Sequence, residues 1–281
     1  MNYRHAFHAG NFADVIKHIA LVAVVRHLRL KDKPFCIIDT HAGTGIYDLR
    51  SVEAARTGEA EGGIGRLDET RDAPLPPGAL RTYLELVQRE GGGFYPGSAR
   101  IAARLLRPQD RLVAIEKQSE AANALRKSLA EFPNVRAVEA DGYERLLALL
   151  PPRERRGVIL VDPPFEADNE FARAAEILMR AHRRFATGIY ILWYPIKSRA
   201  TADALYGEVT ASGIAPVLRL EIDTRRTSEG GKGRLSAAGL LIINPPFGFE
   251  EEMQDAAAIL APLLGCKSDA PAAIKLISPP A

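Results

Sequence analysis

From Asp14 to Leu30 the apolar positions 15, 16, 19, 22, 23 and 25 recur at near-helical spacing and predict a first helix. Asp14 in its first turn and Arg26 and Arg29 near its last suit the helix dipole, and Lys33-Pro34 ends it. The pattern then changes. Phe35-Cys-Ile-Ile38, Leu112-Val-Ala-Ile115, Val135-Arg-Ala-Val138, Val158-Ile-Leu-Val161 and Ile189-Tyr-Ile-Leu-Trp193 are short, mainly apolar runs, each preceded by a helical stretch. Such runs predict strands of a parallel sheet covered on both faces. Val217–Ile222 and Gly239–Ile243 predict a closing hairpin pair, so the chain reads as α/β with seven strands, mostly parallel.

Residues 47–97 break this rhythm. About 50 residues separate the first two strands, where a crossover needs a dozen or so. Turn-rich Glu61-Gly-Gly-Ile-Gly65 and Pro74-Leu-Pro-Pro-Gly78 flank a helical Tyr83-Leu-Glu-Leu-Val87. The expected organisation is one domain over 1–46 and 98–281 with a small helical subdomain inserted at 47–97.

Composition narrows the class without choosing a function. The 281 residues are 47% hydrophobic and 26% charged, with a net charge of +2, which excludes a disordered chain or a basic tail. No apolar run reaches membrane-spanning length and the first residues show no signal-peptide pattern, so a soluble cytoplasmic protein without membrane partners is expected. The two cysteines, Cys36 and Cys266, lie far apart, and the histidines show no metal-ligand spacing; neither a disulfide framework nor a metal is assigned.

The chemistry gathers at strand ends. Asp39-Thr-His-Ala-Gly-Thr-Gly45 follows the first strand, and its glycines allow a tight turn and close approach of a ligand. The second strand ends in Glu116, where a carboxylate can take both hydroxyls of a ribose. The third ends near Asp141-Gly142, where a carboxylate could accept an adenine amine. Each acid alone could be an ordinary solvated loop residue; three ligand-suited strand ends in succession favour an adenosine ligand. The phosphate-cradling patterns of dinucleotide and ATP sites are absent, so S-adenosylmethionine fits better than NAD.

The fourth strand runs into Asp162-Pro163-Pro164-Phe165. Two prolines cannot continue a ladder and drive the chain off the sheet in a rigid shape. Asp162 and the Pro163 carbonyl then offer two acceptors for a planar amine, and Phe165 a face for a base. The alternative is a strand terminator with a packed phenylalanine.

D-P-P-F is a form of the [DNS]-P-P-[YFW] motif of class I S-adenosylmethionine-dependent amino-methyltransferases, which have a Rossmann-like sheet. The chain more specifically resembles the ribosomal RNA large subunit methyltransferase J family. The resemblance is carried by Tyr3–His18, Lys31-Asp-Lys-Pro-Phe35, Asp39-Thr-His-Ala-Gly43, Tyr95-Pro-Gly-Ser98, Ala140-Asp-Gly142, Phe185–Tyr190 and Leu192-Trp-Tyr-Pro195, and it spans residues 3 to at least 247. It implies methylation of N6 of an adenine in protein-poor 23S rRNA, at position 2030 in the customary large-subunit numbering, by a monomeric enzyme. It also implies cofactor contacts at Lys17, His41, Ser98, Glu116, Asp141, Gly142 and Asp162. Catalysis falls on Asp162, Pro163 and Phe165, and substrate contacts on Tyr3, His5 and Pro164. The family commonly has Tyr where this chain has Phe165, and D-P-P-F also occurs in RNA guanine-N2 enzymes. DNA adenine and RNA guanine methylation therefore stay open, as does a non-catalytic RNA-binding or ribosome-assembly factor.

Several features remain ambiguous by residue chemistry. Tyr3, His5 and His8 could form a lid that matters for turnover rather than folding, or an ordinary cap. Lys17, on an apolar face, would seek a carboxylate, either the cofactor's or an ion-pair partner's. Asn244-Pro-Pro-Phe247 echoes the fourth strand end but follows the last strand; with a sheet order of 3-2-1-4-5-7-6 it lies away from the switch point between strands 1 and 4. Basic runs at 153–156, 180–184 and 223–234 are candidates for phosphate contact or solvated surface.

Overall fold

The computed structural model describes residues 4–70, 77–224, 235–266 and 274–277. Tyr3 and most of the 223–234 basic run lie outside the described residues. Asn11 caps the first helix, α1 (Phe12–Arg29), its side chain accepting from the Asp14 amide, so helix formation starts two residues before the expected Asp14. Strand β1 (Cys36–Asp39) follows, then β2 (Ile46–Asp48), α2 (Val52–Thr57), α3 (Ala79–Glu90), β3 (Phe94–Pro96) and α4 (Ser98–Leu105). Strands β4 (Arg111–Glu116), β5 (Val135–Glu139), β6 (Gly157–Val161) and β7 (Ile189–Pro195) alternate with α5 (Ser119–Ser128), α6 (Gly142–Leu149), α7 (Glu170–Arg184) and α8 (Arg199–Ala211). The chain continues through β8 (Val217–Asp223), β9 (Ala237–Ile243), α9 (Phe249–Leu263) and β10 (Ile274–Ile277).

The sheet order is β5-β4-β1-β6-β7-β9-β8-β10. This is the expected seven-strand order, with β8 and β9 as the antiparallel pair, plus an eighth edge strand, β10, that the sequence pattern did not reveal. Strand side chains alternate between two apolar clusters. Ile37, Leu112, Ala114, Val158 and Leu160 face the layer of α1, α3, α4 and α9, while Ile38, Val113, Ile115, Ile159 and Val161 face α6, α7 and α8. Burial on both faces is why these strands read as continuous apolar runs.

Within 47–97, β2 pairs antiparallel with β3, a ladder too short to register in the sequence pattern. Leu80, Tyr83, Leu84 and Val87 of α3 join the same cluster as α1. The adjacent parallel strands β5, β4, β1, β6 and β7 end on one side, with the crossover reversing between β1 and β6. A cleft for ligands forms at such a reversal.

Strand direction also separates the two proline-pair loops. Strand β9 runs opposite to β7, pairing Ile243 with Tyr190 at the start of that strand. Asn244 therefore emerges at the sheet end opposite Asp162. Its amide donates to the Ala186 and Gly188 carbonyls (2.8 and 2.7 Å), so it pins the turn before β7. Basic residues 153–156 and 180–184 precede β6 and β7, which places them at that far end too, away from the cleft. Arg156 there donates to the Lys33 and Leu28 carbonyls and Arg184 to Leu147.

Candidate active site

A cleft of about 450 Å³ opens at the carboxyl ends of the parallel strands, and a smaller cavity of about 200 Å³ lies beside it. His5, Lys17, Asp162 and Pro164 line both and form the wall between them. Nine of the sequence-predicted residues therefore converge on the large cleft: Lys17, His41, Ser98, Glu116, Asp141, Asp162 and Pro163, together with His5 and Pro164.

Glu116 ends β4 and accepts the Gly43 amide at Oε2 (3.0 Å) and the Gln118 amide at Oε1 (2.8 Å). Each oxygen keeps a lone pair for a ligand hydroxyl. Gly43 has φ +61°, and a Cβ there would lie 2.0 Å from the Tyr47 hydroxyl, so the loop that reaches Glu116 requires glycine. Asp141 caps α6, accepting the Tyr143 and Glu144 amides at Oδ1 and Lys117 at Oδ2. Burial would raise its pKa, but Lys117 and the two amides outweigh this and hold it low. Gly142 is needed for a packing reason: a Cβ would meet the Thr40 carbonyl at 2.1 Å.

Ser98 donates to the buried Asp39 Oδ2 (2.6 Å), so toward the cleft its hydroxyl can only accept. Burial raises the Asp39 carboxyl to about 6 despite this bond. His41 pairs with the Thr40 hydroxyl (2.8 Å) and meets the Tyr143 ring edge-on; burial lowers it to about 4, so it is neutral at pH 7.

Lys17 is buried on α1 and donates to Asp14 Oδ1 (2.7 Å) and Asp162 Oδ2 (2.5 Å). The carboxylate it was expected to seek is thus supplied from within the chain. Burial opposes its charge, yet the two carboxylates raise its pKa above the ordinary lysine range. Asp162 Oδ1 has no hydrogen-bond partner among the described residues, and no described amide donates to the Pro163 carbonyl. Two acceptors are left for a ligand where the two cavities meet.

Phe165 does not present an open face. It is 5% exposed, at φ +46°, and packs against Phe171 and Trp193 with ring centroids 4.7 and 5.7 Å away. It lines the smaller cavity together with the half-buried Trp193. The amino-terminal segment is also less free than its polarity suggested. His5 donates to Asp14 (2.9 Å), His8 pairs with Glu59 (3.0 Å), and the Phe7 carbonyl accepts from Thr57.

Sequence reasoning missed Asp14 and Asp39. Asp14 accepts from His5, Lys17 and the Gly10 amide, while its sequence signal, an acid in the first helical turn, had an adequate explanation in the dipole. Tyr143, Glu170 and Arg173 were missed as well. Tyr143 donates to Glu170 (2.7 Å) under the Arg173 guanidinium, and all three line the cleft.

Comparison with known proteins assigns the family. Residues 32–272 match the family described as ribosomal RNA large subunit methyltransferase D, RlmJ. The chain is 39% identical over 259 residues to ribosomal RNA large subunit methyltransferase J of Escherichia coli, covering 91% of each chain. It is 37% identical over 260 residues to the Haemophilus influenzae protein of that name, again at 91% of each. A crystal structure of a Legionella pneumophila protein, 32% identical, superposes with a TM-score of 0.86 over 97% of this chain and 98% of that one. With its sheet order, strand-end acids and Asp-Pro-Pro-Phe loop placed as they are, this chain belongs to the RlmJ family of ribosomal RNA large subunit methyltransferases.

Proposed function

We propose that the chain transfers the methyl group of S-adenosylmethionine to N6 of an adenine in 23S rRNA. The observation that carries this reading is the pair of acceptors, Asp162 Oδ1 and the Pro163 carbonyl, at the wall between two cavities. The cleft fits the cofactor in donor chemistry. Glu116 offers acceptors for ribose hydroxyls, Ser98 an acceptor for an ammonium, and Lys17 a third N–H beyond those given to Asp14 and Asp162. Asp141 retains a lone pair only on Oδ2, which Lys117 must share with an adenine amine. When bound, the cofactor supplies a sulfonium methyl.

The protein's task is to orient a weak nucleophile. The lone pair of an aromatic amine is delocalised; two acceptors that hold its N–H bonds favour the pyramidal, attacking geometry. Lys17 fixes the Asp162 carboxylate through Oδ2, leaving Oδ1 for that contact. The smaller cavity, with Pro164, Phe165 and Trp193 around it, is suited to a nucleobase turned out of its stack. Such extrusion is easier in protein-poor RNA than in an assembled subunit, and we take the enzyme to act there as a monomer. In this reading 47–97 is an insert in the methyltransferase domain that holds the amino-terminal segment, through Glu59 on His8 and Asn11. Among the described residues no helix is long and apolar enough to cross a membrane.

Adenine over guanine rests on the resemblance of residues 3–18 to the family. Mass spectrometry of 23S rRNA nucleosides from a strain lacking the gene, with and without complementation, tests it. Loss of one N6-methyladenosine, restored by the wild-type chain and not by Asp162→Ala, is expected. Unchanged methyladenosine with loss of a methylguanosine would overturn the assignment.

A further inference from the structure

We infer that Asp14 is a positioning residue for methyl transfer, the buried counter-charge that sets how tightly Lys17 grips Asp162. The inference rests on the proposed function, since it assigns a task to the Asp162 loop. Asp14 is 2% exposed and sits three residues after the α1 cap, where Asn11 fixes its backbone. Its carboxylate bonds to the site on one side and to the amino-terminal segment on the other. Oδ1 accepts from Lys17 (2.7 Å), and Oδ2 accepts from His5 (2.9 Å) and the Gly10 amide (2.9 Å). No helix needs three side-chain acceptances of this kind, and the dipole alone would be served by an exposed acid.

Charge explains what the arrangement does. Lys17 lies between two carboxylates, so its ammonium is shared, and the group of three carries one net negative charge. Were Asp14 neutral, Asp162 would be the one carboxylate of the described chain still bonded to Lys17, both of them largely shielded from water. The ammonium would then draw more of the Asp162 charge to itself and leave Oδ1 a poorer acceptor for the target amine. The same carboxylate ties down His5, on the wall between the cavities. Asp14 thus links two things the reaction needs together, a seated amino-terminal segment and an Asp162 that is held but still able to accept.

Asp14→Asn keeps the shape and removes the charge, while Asp14→Glu keeps the charge and moves it by one methylene. A residue that mattered for shape alone would tolerate Asn better than Glu; a counter-charge would tolerate Glu better. Methylation of an RNA fragment is measured under saturating cofactor for the wild type and both variants. Cofactor affinity is followed by calorimetry and folding by thermal melting. The expected result is a kcat lowered about tenfold or more in Asp14→Asn, partly restored in Asp14→Glu, with a smaller change in cofactor affinity than in kcat in both. A wild-type kcat in Asp14→Asn, or an Asn variant at least as active as the Glu variant, overturns the inference. If the Asn variant does not fold, Asp14→Ser, which also removes the charge, takes its place in the same comparison: a kcat lowered below that of Asp14→Glu supports the inference, and one equal to or above it overturns it. A wild-type chain that methylates no RNA would instead overturn the proposed function.

Discussion

Substitution in the two proline-pair loops should injure two different properties. Asp162→Ala removes an acceptor for the reacting amine, a contact worth about 1.5–3 kcal/mol, or roughly 10- to 150-fold in rate. Folding should suffer less, because Lys17 keeps Asp14 at 2.7 Å. Asn244→Ala should do the reverse. It deletes two donors to the Ala186 and Gly188 carbonyls, each worth about 0.5–1.5 kcal/mol. It also places alanine at φ +55°, where asparagine is tolerated at lower cost, by about 1 kcal/mol. Together these come to roughly 2–4 kcal/mol, a fall in Tm of about 5–15 °C for a chain of this size. Single-turnover methylation, run well below the lower Tm, separates the two effects, with cofactor affinity checked for each variant. An inactive but folded Asn244→Ala, or a fully active Asp162→Ala, would refute the opposite-end placement of the loops and the role given to the Asp162 carboxylate.

Replacing Glu116 with Ala should weaken S-adenosylmethionine binding about tenfold or more, since the ribose hydroxyls lose a charged acceptor and the Gly43 and Gln118 amides lose theirs; unchanged affinity in calorimetry would remove Glu116 from the site. Deleting residues 1–8 should cut methyl transfer steeply and lower Tm by only about 5 °C, because the described bonds to Asp14, Glu59 and Thr57 that vanish lie partly in solvent; full activity on RNA would dispose of the lid. Burial lowers His18 from 6.5 to about 3, so the unfolded chain takes up a proton there first. Its contribution is complete above pH 6.5 and is lost at about 1.4 kcal/mol per unit as pH falls toward 3. The raised Asp39 runs the other way between 3.8 and about 6, so the measurement is the difference in urea-unfolding stability between wild type and His18→Asn. A difference that does not shrink as pH falls below 6.5 would contradict the neutral buried imidazole.

Local pattern was enough to predict the parallel strands and the acids at their ends that line the cleft. Strands such as Val158–Val161 are apolar without alternation because both faces are covered, and that is visible in the residues themselves. The acids at 116 and 162 follow such runs directly and Asp141 lies two residues past the half-exposed β5, so knowing where a strand ends locates them. What lay beyond local pattern depended on strand direction and on partners distant in the chain. Asp-Pro-Pro-Phe and Asn-Pro-Pro-Phe differ little as sequences; the reversal of β9 sends the second to the far end of the sheet, where Asn244 serves a turn. The basic runs at 153–156 and 180–184 go there for the related reason that they precede parallel strands. Phe165 reads as a stacking face until Phe171 and Trp193, 6 and 28 residues away, are found against it. Asp14 and Lys17 look like a helix start and a stray cation until the tertiary fold brings Asp162, 145 residues on, within 2.5 Å. Buried charge has no period along the chain, so only the folded arrangement shows which carboxylates share a lysine.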